Sequence, residues 1–146
     1  MYINRIRIEN FKSIYEPIEL DFNNIKGFWK IAGSVGSGKT TIGEAIIYGL
    51  FGSVGGKNQA DLISWGRKHG IIELWCTSKT NNIYIKRELK SYGQSPLYVE
   101  VDGEELAALC LYFIYSIVAK DADSSCIGLA DGNVVSPLVR LDKPYK

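Results

Sequence analysis

The sequence has few cysteines and no long uncharged run, and each shortage excludes a class of protein. Its 146 residues include three cysteines, too few and too scattered for a disulfide framework or a zinc site, namely Cys76, Cys110 and Cys126. The longest uncharged stretch, 106–119, has 14 residues, whereas a membrane helix needs roughly 20. The N-terminus also lacks the charged and then apolar pattern of a signal peptide. We therefore expect a cytoplasmic protein with reduced thiols, and we expect 106–119 to form a core helix.

The chain also lacks an excess of charge of one sign. Seventeen basic and 16 acidic side chains give a net charge of +1, which excludes a uniformly basic protein but not a local basic patch. Residues 26–90 carry ten basic and four acidic side chains, whereas 91–146 carry four and eight. The middle segment is therefore either a mixed solvated surface or a functional basic face, and the composition does not decide between them.

What the sequence does contain, at its start, is the alternation of half-buried β-strands. Ile6 and Ile8 alternate with charged residues, and 18–22 alternates more cleanly behind Pro17. A third run, 28–32, is typical of a buried strand and leads directly into a glycine-rich segment. With 46% hydrophobic residues, these patterns predict one domain with a sizeable core.

The period of the pattern changes after residue 39. Apolar or small residues then recur at helical spacing and form one stripe: Ile42, Ala45, Ile46, Gly49 and Leu50. Gly52 is placed to end that helix in the left-handed conformation, and 52–59 is typical of a mobile loop. Three further runs predict an antiparallel meander with a hairpin turn at Asp102-Gly103: 71–76, 83–87 and 97–101.

The glycine-rich segment 33–40, GSVGSGKT, matches the phosphate-binding loop pattern G-x-x-x-x-G-K-[ST]. Its glycines allow positive φ angles and close approach of backbone N–H groups to phosphate oxygens. Lys39 supplies a charge for the β- and γ-phosphates, and the Thr40 hydroxyl is a ligand for Mg²⁺. Because a strand is predicted before it and a helix after it, we expect a nucleoside triphosphate site rather than a chance glycine-rich turn.

Short motifs with characteristic spacing surround this loop. They are Asn10-Phe11-Lys12-Ser13, Asp21-Phe22, 44–52 (EAIIYGLFG) and 61–66 (DLISWG). Over residues 2–105, this arrangement resembles the ATPase heads of the SMC/SbcC/RecF group of DNA-repair and chromosome-maintenance proteins, and within the group it is most similar to the SbcC-like exonuclease ATPase subunit. The resemblance implies an α/β P-loop NTPase fold, namely the N-terminal lobe of an ABC-type ATPase head with an antiparallel β meander.

The resemblance also implies a site for ATP and Mg²⁺. Lys12 and Ser13 would approach the phosphates from a neighbouring turn, although a solvated turn lysine is the alternative for Lys12. Thr40 would hold the metal, and no catalytic residue is expected within the chain. The expected nucleotide-binding residues are Lys12, Ser13, Gly33, Ser34, Val35, Gly36, Ser37, Gly38, Lys39, Thr40 and Thr41.

The sequence departs from the group in three respects. Val35 stands where the group usually has Asn, and an apolar side chain cannot donate a hydrogen bond to the γ-phosphate. The glutamine loop has no clear counterpart, and the nearest alignment puts Asp121 there. No leucine-serine-glycine-glycine signature and no Walker B strand occurs, and the tail 106–146 has no assignable pattern. We therefore expect 1–146 to be a single partial ATPase-head domain that needs a C-terminal lobe for hydrolysis.

Three functions follow from these expectations. The favoured one is the nucleotide-binding lobe of a DNA-repair ATPase; the alternatives are a regulatory module without turnover and a small stand-alone NTPase or kinase. Expected partners are a complementary C-terminal lobe or second head, a nuclease subunit and DNA, but not a membrane. The candidate DNA contacts in the basic segment are Lys57, Arg67, Lys68, Lys86 and Arg87.

Overall fold

A computed structural model describes residues 1–23 and 30–106, which form an antiparallel sheet covered on one face by a helix. The six strands are β1 (Tyr2–Glu9), β2 (Ile18–Asp21), β3 (His69–Thr77), β4 (Asn82–Lys90), β5 (Leu97–Val101) and β6 (Glu104–Leu106). The helices are α1 (Lys39–Phe51) and α2 (Gln59–Leu62). The sheet order is β2-β1-β3-β4-β5-β6, and each neighbouring pair is antiparallel.

The strand predictions made from period-2 alternation are confirmed. Ile6 and Ile8 of β1 are fully buried, and Ile72, Leu74 and Ile85 of the meander are buried beside them. The hairpin turn is also confirmed, because Asp102 and Gly103 both have positive φ angles, 52° and 89°. The core therefore lies between one face of the sheet and α1, which contacts β1, β3 and β4.

Helix α1 begins and ends as predicted, and three residues of the predicted stripe are buried: Ala45, Gly49 and Leu50. Gly52 ends the helix with φ 74°, and its N–H donates to the Tyr48 carbonyl at 2.7 Å. The buried residues of the helix are Thr41, Ala45, Tyr48, Gly49 and Leu50, whereas Ile42 and Ile46 are half-buried. The reason is the close approach at Gly49, where an added Cβ would lie 2.6 Å from Leu74 Cδ1.

The predicted third strand is wrong where the structure describes it. Residues 30–34 form no strand, and Ile31 is 48% exposed; Phe28 and Trp29 lie outside the described residues. A strand needs a neighbour for its backbone N–H and C=O groups. Within 1–23 and 30–106, none of the six strands pairs with 30–34, so the apolar pattern there has no sheet to join.

Two further boundaries differ from expectation. The segment 52–59 is not wholly an exposed loop, because Val54 is packed in the core and Gln59 begins α2. Leu106, assigned from sequence to a helix, instead ends β6 by pairing with Val99. The remainder of the predicted helix 106–119, Asp121 and the tail lie outside the described residues.

Candidate functional site

The loop between residue 33 and α1 has the backbone of an anion-binding nest. Gly36 and Gly38 both have φ 83°, a left-handed conformation that glycine adopts without steric cost. Gly38 is the N-cap of α1, so no N-cap side chain accepts a hydrogen bond from the first N–H groups of the helix. The first N–H groups of the helix, which have no carbonyl partner within it, therefore face the loop together with the positive end of the helix dipole.

Lys39 closes the loop from its C-terminal side. Its Nζ donates to the Gly33 carbonyl at 2.8 Å and to the Ser34 carbonyl at 2.6 Å, so the ammonium lies across the loop. Val35, at the tip, is fully exposed. The charge therefore lies beside the loop backbone, and the loop itself faces solvent.

These residues fit a polyphosphate. Nothing lies within 4 Å of a Cβ built on Gly36, which leaves open space against the loop backbone. The first turn of α1 contains no acidic residue, so no carboxylate there competes with an anionic ligand. Thr40 is exposed at the same end of the helix, where a hydroxyl can serve a metal bound to phosphates.

The turn between β1 and β2 supplies Ser13 to this site. Ser13 Oγ is 3.0 Å from Thr41 Oγ1, and it is 3.5 Å from the position that a Cβ on Gly38 would occupy. Thr41 is buried, so its hydroxyl is directed to Ser13 rather than to solvent. The structure therefore brings together three of the residues predicted from sequence: Ser13, Gly38 and Thr41.

Hydrogen bonds on two sides hold that turn rigidly. Phe11 and Ile14 exchange backbone hydrogen bonds at 2.9 Å, which leaves Lys12 and Ser13 at the tip. The Lys12 N–H donates to the Leu62 carbonyl at 2.9 Å, and buried Ser64 donates its Oγ–H to the Ile14 carbonyl at 2.9 Å. The segment 61–66, singled out in the sequence as a motif, thus fixes the turn that carries Ser13.

Lys12 is placed differently from Ser13. Its Nζ forms an ion pair with Glu44 of α1, and Lys57 Nζ lies 3.5 Å from the other carboxylate oxygen. Burial is the largest single effect and opposes the charge on Lys12, but the hydrogen bond to Glu44, the contact with Lys57 and the charge of Glu44 together outweigh it, so the pKa of Lys12 is raised. In the sequence, Glu44 was noted only as the first residue of the motif 44–52; its position as the sole acid of α1 was the available signal.

The five candidate DNA contacts do not form one surface. Arg87 is 8% exposed and donates from Nε to the Gly49 carbonyl at 3.2 Å, so its assignment as a DNA contact is wrong. Alternation along β4 directs Lys86 to the opposite face, where it lies 3.6 Å from Glu88. Lys57 is paired with Glu44, whereas Arg67 and Lys68 are exposed in the segment before β3.

Comparison with known proteins identifies the family. Residues 5–123 match the AAA domain family. The chain belongs to the AAA domain family. It is 37% identical over 100 residues to the DNA double-strand break repair Rad50 ATPase of Methanocaldococcus jannaschii, a match that covers 67% of this chain and 10% of that protein. It is 33% identical over 109 residues to Exonuclease subunit 2 of Escherichia phage RB69, covering 71% and 18%.

Solved structures with a similar fold confirm the fold class. The recombination mediator RecF with ATP superposes with a TM-score of 0.63 at 22% identity, covering 77% of this chain and 30% of that one. An Smc head bound to the C-terminal winged-helix domain of ScpA gives 0.61 at 24% identity, covering 82% and 40%. The expected resemblance to the N-terminal region of an SMC/SbcC/RecF-type ATPase head is therefore confirmed.

The chain spans about a tenth of the length of the Rad50 ATPase and about a fifth of the length of Exonuclease subunit 2. None of the helices within residues 1–23 and 30–106 is long and apolar enough to cross a membrane.

Proposed function

We propose that this chain is the ATP- and Mg²⁺-binding N-terminal lobe of an SbcC- or SMC-like DNA-repair ATPase, with 1–146 as one partial head domain. The observation that carries the proposal is the open loop 33–40, which has two left-handed glycines and ends at the uncapped N-terminus of α1. The loop backbone, Lys39, Thr41 and Ser13 surround the phosphates in this proposal. Thr40 would hold Mg²⁺, which would supply positive charge to the phosphates.

The surface of α1 supports a second lobe as partner. Ile42, Ile46, Ile47 and Phe51 are half-buried rather than covered, although the sheet already buries the opposite side of the helix. Apolar side chains on more than one side of a helix, as over 45–51, are normally enclosed by a second layer. A complementary C-terminal lobe would cover these residues and would also give residues 30–34 a sheet to join.

Hydrolysis would depend on that second lobe. The carboxylate nearest to the loop along α1 is Glu44, which is already paired with Lys12 and Lys57. The apolar side chain of Val35, exposed at the loop tip, cannot donate a hydrogen bond to a γ-phosphate. We therefore expect the isolated chain to bind ATP and to turn it over weakly or not at all.

DNA and a nuclease subunit are the proposed partners of the assembled head. Two relatives are a DNA double-strand break repair ATPase and an exonuclease subunit, and their names support this assignment. Exposed Arg67 and Lys68 are the candidate contacts to a phosphate backbone. We propose a cytoplasmic location, and buried, unpaired Cys76 is consistent with reduced thiols; burial raises its pKa to about 12.

Isothermal titration with ATP·Mg²⁺ tests the proposal. Lys39→Ala removes a charge-assisted contact, so we expect binding to weaken by about 1.5–3 kcal/mol, which is roughly 10- to 150-fold. Lys79→Ala is the matched control, because Lys79 is an exposed lysine in the β3–β4 connection. Wild-type chain that binds no ATP, or equal affinity in the two variants, would contradict the proposal.

A turnover assay separates the ATPase lobe from a regulatory module. Hydrolysis that appears when a candidate C-terminal lobe is mixed with this chain, and disappears with Lys39→Ala, supports the ATPase lobe. Tight ATP binding with no turnover in any such mixture supports the module instead.

A further inference from the structure

We infer that Glu44 is a positioning residue for the nucleotide site: it holds the Lys12 ammonium against the side of α1 and thereby withholds that charge from the phosphate loop. The inference rests on the proposed nucleotide site, and it adds to that site a residue that does not itself touch the ligand.

Lys12 and Ser13, adjacent in the β1–β2 turn, contact α1 at different positions along the helix axis. Ser13 reaches Thr41 in the first turn of the helix, at 3.0 Å, whereas Lys12 reaches Glu44. Because each residue of an α-helix advances about 1.5 Å, Glu44 lies about 4.5 Å beyond Thr41 along the axis. The β1–β2 turn therefore presents the Ser13 hydroxyl to the loop, whereas the Lys12 ammonium is held further along α1, away from the loop.

The side chain of Lys12 is the adjustable part of this arrangement. The backbone of the turn is fixed by the hydrogen bonds from Lys12 N to Leu62 and from Ser64 to Ile14, and Phe11 beneath it is fully buried. Lys12 adopts φ 51°, a left-handed conformation that non-glycine residues rarely take, so the backbone at this position is held by its surroundings. A flexible four-carbon stem can exchange one anionic partner for another without moving that backbone.

Lys57 makes the exchange electrostatically feasible. It lies 3.5 Å from Glu44 Oε1, while Lys12 is paired with Oε2. The Glu44 side chain is 18% exposed, so if Lys12 were its sole cationic partner, departure of Lys12 would leave a poorly solvated charge unpaired. With two lysines on separate oxygens, Glu44 keeps a partner when Lys12 moves to a phosphate.

A double-mutant cycle measured by ATP·Mg²⁺ titration tests the inference. Glu44→Gln removes the charge that competes for Lys12, so we expect triphosphate affinity to rise by at least about threefold, a coupling typical of contacting residues. The direct field of Glu44 on the ligand acts whether or not Lys12 is present. The part of the gain that depends on Lys12 disappears when Lys12 is replaced. We therefore expect the fold-increase in affinity caused by Glu44→Gln to be at most about half as large in a Lys12→Met chain as in a chain that keeps Lys12.

Glu73→Gln is the matched control. Glu73 is similarly shielded, with its side chain 14% exposed, and it is paired with Arg7 at 2.6 Å on the sheet face away from α1. We expect this variant to leave ATP affinity unchanged, because it alters stability without altering the charge beside the loop. Equal gains from Glu44→Gln with and without Lys12, or a loss of affinity in Glu44→Gln, would overturn the inference.

A measurement on the wild-type chain keeps the test independent of folding. We expect saturation with ATP·Mg²⁺ to shift the ¹³C resonance of the Glu44 carboxylate, because Lys12 leaves it, and not that of Glu73. A Glu44 resonance that does not move would overturn the inference. If the Glu44 resonance does not move although wild type binds ATP and Lys39→Ala binds it more weakly, the role of Glu44 is removed and the proposed function stands.

Discussion

Lys86 and Arg87 are neighbours in β4 with the same formal charge, yet they lie in different environments. Arg87 is directed to α1, where it donates to the Gly49 carbonyl and its guanidinium carbon lies 5.9 Å from the centre of the Tyr48 ring. Lys86 is 36% exposed on the other face. The period-2 pattern of 83–89 already predicts this difference, because Ile83, Ile85 and Leu89 place odd-numbered residues inside.

We predict that Arg87→Met destabilises the fold rather than weakening a surface contact. It removes the donor to Gly49, and we expect the free energy of unfolding in urea to fall by about 1–3 kcal/mol. Lys86→Met should change it by no more than about 0.5 kcal/mol, as is usual at exposed positions. Equal effects of the two substitutions would contradict the burial of Arg87.

At the same scale, sequence reasoning found the phosphate loop but not the partner of Lys12. The loop is predictable because its glycines, Lys39 and Thr40 are consecutive and their chemistry is local. The Lys12–Glu44 pair joins residues 32 positions apart, so it depends on how the turn packs on α1. Charge alone does not specify that packing.

Helix α1 shows what can be predicted for a whole element. Its ends are marked locally, by the loop before Lys39 and by Gly52, so the bounds follow from sequence. The buried face depends on the opposing surface, and Gly49 allows β3 to approach more closely than Ile42 or Ile46 would. Helical periodicity placed Gly49 on the buried stripe, but it gave no sign that Ile42 and Ile46 of the same stripe would be only half-buried.

A pair of glycine substitutions tests this packing. At Gly49 an added Cβ would lie 2.6 Å from buried Leu74, so we expect Gly49→Ala to lower the free energy of unfolding by about 1–3 kcal/mol. At exposed Gly43 nothing lies within 4 Å, so Gly43→Ala should raise it by about 0.5–1 kcal/mol through helix propensity.

Thermal or urea denaturation of both variants provides the measurement. If both substitutions stabilise the chain, propensity dominates at each position and α1 does not approach the sheet at Gly49 as described.

At the scale of the whole molecule, residues 1–23 and 30–106 form a sheet with one helical layer. The meander is predictable because each hairpin is local and its alternation is clean. The predicted strand 28–32 was wrong over 30–32, because a strand pattern gives no information about the neighbour it needs. Residues 30–34 and the half-buried side of α1 are consistent with a layer contributed by a second lobe.

Amide ¹H–¹⁵N spectra of the wild-type chain, recorded during titration with ATP·Mg²⁺, test the central claim most directly. If the backbone N–H groups around the start of α1 bind the triphosphate, the largest saturable shifts will fall on residues 36–41, with little change in β5 and β6. Shifts centred on the sheet, or no saturable shift at residues 36–41, would contradict a nucleotide site in this loop.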